Sequence, residues 1–225
     1  MKIIEFIKHC QDIKLYDPIQ NNALNVLESL NFSKSHLTLL SITDGMAFFG
    51  GYFRLFGVNK ERNINLFSWN SDELWKYTWG RYIDGYYFFG MSAIGDLFAY
   101  GDDNRVYYLD GVTMNVISAY DDFYEFFQAE FIARDNGNVE CLFIEARNKF
   151  GDLDIDTSLI YIPSLFLYND PSVDNLIKMR TVDVMTINGD LCRQLMENKR
   201  NVKVLEDYID SNGRCRVKVI FEEDN

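Results

Sequence analysis

The chain has 225 residues, 48% of them hydrophobic, 16% aromatic and 25% charged, with a formal net charge of −12. Those proportions fit a globular protein of one large domain or two small ones, and the aromatic content excludes a disordered chain. The acidity argues against nucleic acid and against an anionic membrane surface as partners, because concentrated Lys and Arg are what bind both.

Ile3, Ile4, Phe6, Ile7 and Cys10 are spaced as on a helix. Glu5 and Lys8 break this apolar run and no small-residue cleavage site follows, so it does not read as a signal peptide. No apolar run approaches the roughly 18 residues that span a bilayer. Asp17-Pro18 predicts a helix start, with Ile19, Ala23, Val26, Leu27 and Leu30 as the inner face. A second helix is expected after Ser35, ending at Asp44-Gly45, where Gly suits a left-handed cap. Met46–Phe49 and Tyr52–Phe56 read as strands around a Gly50-Gly51 turn, and Asn70 with Glu73 as the cap of a short helix carrying Leu74, Trp75 and Trp79.

From Tyr86 the period becomes that of strands. Tyr86–Phe89, Leu97–Tyr100, Val106–Leu109 and Met114–Ser118 are short β-favouring runs divided by glycines, which predicts an antiparallel meander with a hairpin at Asp110-Gly111. Asp121 is expected to cap a helix containing Phe123, Phe126, Phe127, Ala129, Glu130 and Phe131 that stops near Asn136-Gly137; residues 139–150 read as another helix. Leu159–Tyr168, interrupted by Pro163, suits an edge strand or bulge. Thr181–Ile187 alternates as a strand, Asp190–Glu197 reads as helical, and Val202–Ile209 and Arg214–Phe221 flank a Ser211-Asn212-Gly213 turn. With three prolines and no linker or internal repeat, the chain reads as one compact α+β domain over 1–225, a largely antiparallel sheet flanked by helices with a strand-rich C-terminal extension.

Few residues offer chemistry. His9 and His36 sit among apolar neighbours, which favours ordinary helix positions over metal ligation. No phosphate loop, dinucleotide fingerprint or nucleophile elbow is present, and no cofactor is expected. Asp152-Leu153-Asp154-Ile155-Asp156 resembles the start of a calcium loop, but Thr157 stands where the loop needs Gly and Pro163 where it needs Glu. The widely spaced Cys10, Cys141, Cys192 and Cys215 read as reduced thiols of a cytoplasmic protein. The dense cluster from Trp69 to Phe89 reads as core, with one or two Trp or Tyr at the rim available to a partner.

Charge is where the chain is unusual. Between Asp84 and Glu130 stand Asp84, Asp96, Asp102, Asp103, Asp110, Asp121, Asp122, Glu125 and Glu130 against a single base, Arg105, whereas 190–220 holds seven bases and five acids. A one-sided surplus projects a negative field that speeds encounter with a basic partner. Asp102 and Asp103, at an expected loop tip, with Asp121, Asp122 and Glu125, are the candidate partner-binding residues.

The order of Leu37-x-Leu39-Leu40-x-x-x-Asp44-Gly45, Phe53-Arg54-Leu55-Phe56-Gly57, Phe89-Gly90, Ile94-Gly95-Asp96-Leu97-Phe98-Ala99-Tyr100 and Phe123-x-x-Phe126-Phe127 resembles the SUKH superfamily over about residues 20–135. That family includes a fungal cell-wall regulator and many bacterial immunity proteins encoded beside secreted toxins. The tail from 136 to 225, with Tyr161-Ile162-Pro163-Ser164-Leu165 and an Asn188-Gly189-Asp190 turn, looks like an extension seen in larger bacterial members. The resemblance implies a non-enzymatic α+β protein that neutralises a cognate toxin, often a basic nuclease. It supplies no site residues, because the family carries no fixed partner-binding motif, and the Asn59–Asp84 insert departs from its shorter members. Two other readings stand beside it: a scaffold or regulatory protein of the same fold, and a carboxylate-based enzyme.

Overall fold

Seven short strands, each antiparallel to the next in sequence, form the spine of the computed structural model, which describes residues 3–17, 32–168, 170–198 and 200–222. They are β1 (Ile13–Leu15), β2 (Gly45–Phe48), β3 (Phe53–Phe56), β4 (Tyr86–Ser92), β5 (Leu97–Gly101), β6 (Val106–Leu109) and β7 (Val116–Tyr120). Antiparallel neighbours need only short connections, so spatial order follows chain order. The expected meander is β4–β7, and it extends back through the β2–β3 hairpin to β1. The hairpin at Asp110-Gly111 closes through residues 110–115 rather than a two-residue turn, so β7 starts two residues later than expected. The helix predicted from Asp17-Pro18, with its inner face from Ile19 to Leu30, lies outside the described residues.

Because neighbouring strand residues point to opposite faces, β4 divides the core in two. Phe89 meets Phe98, Phe123 and Phe126 on one face, where α1 (Ile3–His9), α2 (Lys34–Ile42) and α4 (Phe123–Phe127) pack. Phe88 faces the other way and meets Trp75. α4 continues through a π-helical turn, Gln128–Ile132, and a last turn, Ala133–Asp135. α5 (Cys141–Phe150) follows and ends at Gly151, as expected.

Local hydrogen bonding moved several expected boundaries. Ser33, not Ser35, caps α2. Gly45 is not its cap; Thr43 ends the helix, and Gly45 opens β2 at φ +85, where a Cβ would run into the Leu55 carbonyl. Asn65, paired reciprocally with Ser68, caps α3 (Leu66–Trp69). Asn70 instead bridges to the Phe88 backbone through both ends of its amide, at 2.7 and 2.8 Å, and Trp75 and Trp79 lie at tight 3-10 turns.

The C-terminal part consists of a hairpin, β8 (Thr157–Tyr161) with β9 (Leu176–Arg180), then α6 (Thr181–Glu197) and a second hairpin, β10 (Val202–Ile209) with β11 (Cys215–Phe221). Buried Arg54 on β3 ties it to the sheet. Its guanidinium donates to the carbonyls of Gly51, Ile155 and Thr157 and to the hydroxyls of Ser158 and Thr181. Burial lowers its pKa to about 10.

The strand expected at Thr181–Ile187 is the first half of α6. Val184, Ile187 and Leu191 bury at helical spacing, and tertiary contact outweighs the β-favouring composition. Asn188-Gly189-Asp190 is therefore mid-helix rather than a turn, and Gly189 is where Thr78 and Trp79 press against the helix. A second face of α6 seals β11. Asp183 accepts from Cys215 N–H, Thr186 donates to its carbonyl, Asp190 accepts from Val217 N–H, and Gln194 bonds the Val217 carbonyl and Val219 N–H at 2.9 Å each. The fit is geometric: four helical residues rise about 6 Å and two strand residues about 6.8 Å. Side chains at 183, 186, 190 and 194 thus serve alternate strand residues as a partner strand would.

Candidate protein-binding surface

The nine acids between 84 and 130 divide by role. Asp96 is buried, accepting from Gly111 N–H at 2.9 Å, Ser92 hydroxyl at 3.0 Å and Tyr108 hydroxyl at 3.1 Å, and burial raises its pKa to about 6. Glu130 is buried too, pairing with Arg134 and the Tyr120 hydroxyl, while Arg134 also reaches Glu140 at 2.6 Å. Asp110 closes its own turn on the Val112 and Thr113 amides. These three stabilise the interior and turns, so the outward field is smaller than the sequence total. It arises from Asp84, Asp102, Asp103, Asp121, Asp122 and Glu125, all exposed.

The fold brings those six to one end of the sheet. Asp102 and Asp103 occupy the β5–β6 turn, the tip expected from sequence. Tyr86 pairs with Gly101, which sets Asp84 beside that turn, and the Asp102 carboxylate lies against Gly85. Val106 pairs with Tyr120, so the end of β7 and the start of α4 come alongside. Arg105 links the two groups, its guanidinium 3.3 Å from Asp121.

Several of these carboxylates are held by hydrogen bonds. Asp103 accepts from Arg105 N–H at 3.1 Å and the Tyr107 hydroxyl at 2.6 Å, and the Tyr107 bond lowers its pKa below the ordinary value. Asp122, rather than the expected Asp121, caps α4 by accepting from Glu125 N–H at 2.9 Å. Glu125 returns a bond to Asp121 N–H at 2.7 Å. Charges fixed in this way lose less freedom on binding than free side chains do. Sequence reasoning found the acids but missed Arg105 and Tyr107 as the groups that organise them. It also missed Val116 and Ile117, each 50% exposed at the start of β7, since a strand period does not reveal a sheet's last strand.

Other candidates have structural roles. Trp69, Trp75 and Trp79 are fully buried, while Tyr77 stays partly exposed and donates to Asp210 at 3.0 Å. His36 stacks between Phe32 and Phe123, with Nδ1 3.2 Å from the Tyr100 hydroxyl, and burial lowers its pKa to about 3. Asp152 pairs with Arg147 at 2.9 Å. Burial pushes the Cys10 and Cys192 thiols up to about 12. Among the described residues no group of three or more His, Cys, Asp or Glu side chains is arranged to hold a metal, and no helix is long and apolar enough to cross a membrane.

No family model and no curated protein matches the sequence. The fold does have a solved counterpart. The crystal structure of Atu4351 from Agrobacterium tumefaciens superposes with a TM-score of 0.57 at 12% identity, covering 100% of both chains, which establishes the α+β architecture as one that a natural protein adopts over its whole length.

Proposed function

We propose that this is a non-enzymatic binding protein that captures a basic protein partner on the acidic rim, and that the partner is a bacterial toxin which it neutralises in the cytoplasm. One observation carries the reading: six exposed carboxylates, drawn from positions 84 to 125, converge at one end of the sheet with Arg105 as the one base of that stretch. Electrostatic complementarity of this kind sets association rate and partner choice. The SUKH resemblance supplies the toxin as the class of partner.

The test uses the purified full chain and the product of the adjacent gene. The reading expects direct capture, rescue of growth when both are expressed, and weakened capture in low salt after Asp102→Lys with Asp103→Lys. Absence of capture, or capture indifferent to both substitutions, contradicts it.

A further inference from the structure

A strand edge presents unpaired N–H and C=O groups, which proteins blunt with charge, shortness, proline, a bulge or a covering element. Most edges of this molecule are blunted. β1 has three residues and carries Lys14; β9 carries Lys178 and Arg180; β10 carries Lys203, Glu206 and Asp207; α6 seals β11. β7 differs. Its five residues, Val116-Ile117-Ser118-Ala119-Tyr120, include no charge and no proline. It ends the seven-stranded sheet and pairs with β6 alone among the described strands. Its single bulge falls at Ile117, leaving Ser118–Tyr120 in regular register.

Each end of this edge carries a distinct chemistry. At its start lies an open hollow of about 380 Å³ lined by Val112, Ile117, Leu165 and Phe166 among others. At its end stand Asp121 and Asp122, with Asp103 one strand away. Along β7 the hollow at Ile117 comes first, then Ser118–Tyr120, then Asp121 and Asp122.

We propose that β7 accepts an extended segment of the basic partner as an eighth, antiparallel strand. The segment's N-terminal Lys or Arg side chains meet Asp121 and Asp122, its backbone pairs with Ser118–Tyr120, and an apolar side chain enters the hollow. This deepens the reading of the rim as a site for a basic protein and rests on it. Charge selects the occupant: a second copy of this chain, itself at −12, would bring its own carboxylates to the same edge. Main-chain bonds would supply affinity, and the two ends of the track specificity.

The experiment titrates the full chain with a blocked synthetic peptide, Lys-Arg-Lys-Val-Thr-Val-Thr-Val-Thr, reading affinity by fluorescence anisotropy and amide exchange by mass spectrometry. Slowed exchange across 118–120 is expected. Binding should be at least about tenfold weaker when proline replaces the central Val, and weaker again when the three basic residues become Gln. Ile117→Glu, at a half-exposed position that leaves the fold intact, should also weaken binding although it adds a negative charge; simple electrostatic attraction would strengthen it. Failure of the parent peptide to bind, equal binding of the proline peptide, or stronger binding to Ile117→Glu overturns strand addition. So does a dimer on gel filtration with 118–120 protected before peptide is added. Capture of the adjacent-gene product is measured separately, so failure of strand addition is distinguishable from failure of the rim itself.

Discussion

Two strand edges of this molecule are handled in opposite ways. β11 is closed by a helix whose Asp183, Thr186, Asp190 and Gln194 satisfy alternate backbone groups of the strand. β7, at the end of the main sheet, keeps Val116 and Ile117 half exposed at one end, with Asp121 and Asp122 following the other. The strand addition proposed above uses the edge where that sealing is missing. The contrast also separates two settings for acids: Asp190 is 1% exposed and paired with Arg216, whereas the Asp121 side chain is 90% exposed.

Breaking the sealed edge should produce the largest effect. Asp190 grips Arg216 through two bonds of 2.7 Å, so Asp190→Ala leaves a largely buried guanidinium with only its longer, 3.5 Å contact to Asp210. A loss of about 3–5 kcal/mol is expected by denaturant unfolding, with faster exchange at the Val217 amide. Gln194→Ala orphans one donor and one acceptor of β11 and should cost about 1–3 kcal/mol in the same assay.

A pH effect comes next and belongs to the core behind the rim. The pKa of His36 is lowered on folding, so the unfolded chain binds its proton first. The stability from its neutral ring is complete above pH about 6.5 and is lost as pH falls from there toward about 3, at up to about 1.4 kcal/mol per pH unit. Asp96 works in the opposite direction. Its folded value is raised, so its contribution grows as pH falls from about 6 to about 4 and partly masks the histidine. His36→Phe, which keeps the aromatic stack, should remove the histidine component from a series of melts between pH 7 and 4. An unchanged pH profile would show that the ring is not buried as described.

Substitutions at the open edge should matter least for folding. Ile117→Glu, and Asp102→Lys with Asp103→Lys, sit at exposed positions and should shift unfolding free energy by less than about 0.5 kcal/mol. A larger loss would mean that β7 or the turn before β6 is packed against something that stabilises it.

The sequence revealed the meander, the tail hairpin at Ser211-Asn212-Gly213, and the helices ending at Asp135 and Phe150, because glycine and Asx turns separate runs of clear period. It misled at Thr181–Ile187, where a β-branched run is helical because Val184, Ile187 and Leu191 find apolar partners and Gly189 lets Trp79 approach. Asn65 rather than Asn70 is a cap because the reciprocal partner, Ser68, stands three residues on. For the surface, the acids were legible but their roles were not. Asp96 and Glu130 carry the same residue types as Asp102 and Glu125, and only the fold turns the first pair inward.

A rim that draws in a basic protein, as proposed, shows itself in the rate of association. Stopped-flow mixing of the full chain with the adjacent-gene product, over ionic strengths from about 0.01 to about 0.5 M, should show an association rate that falls steeply with salt. Asp102→Lys with Asp103→Lys should slow association in low salt and flatten that dependence, leaving dissociation nearly unchanged. Equal rates and equal salt dependence for both proteins would show that the rim does not steer the partner.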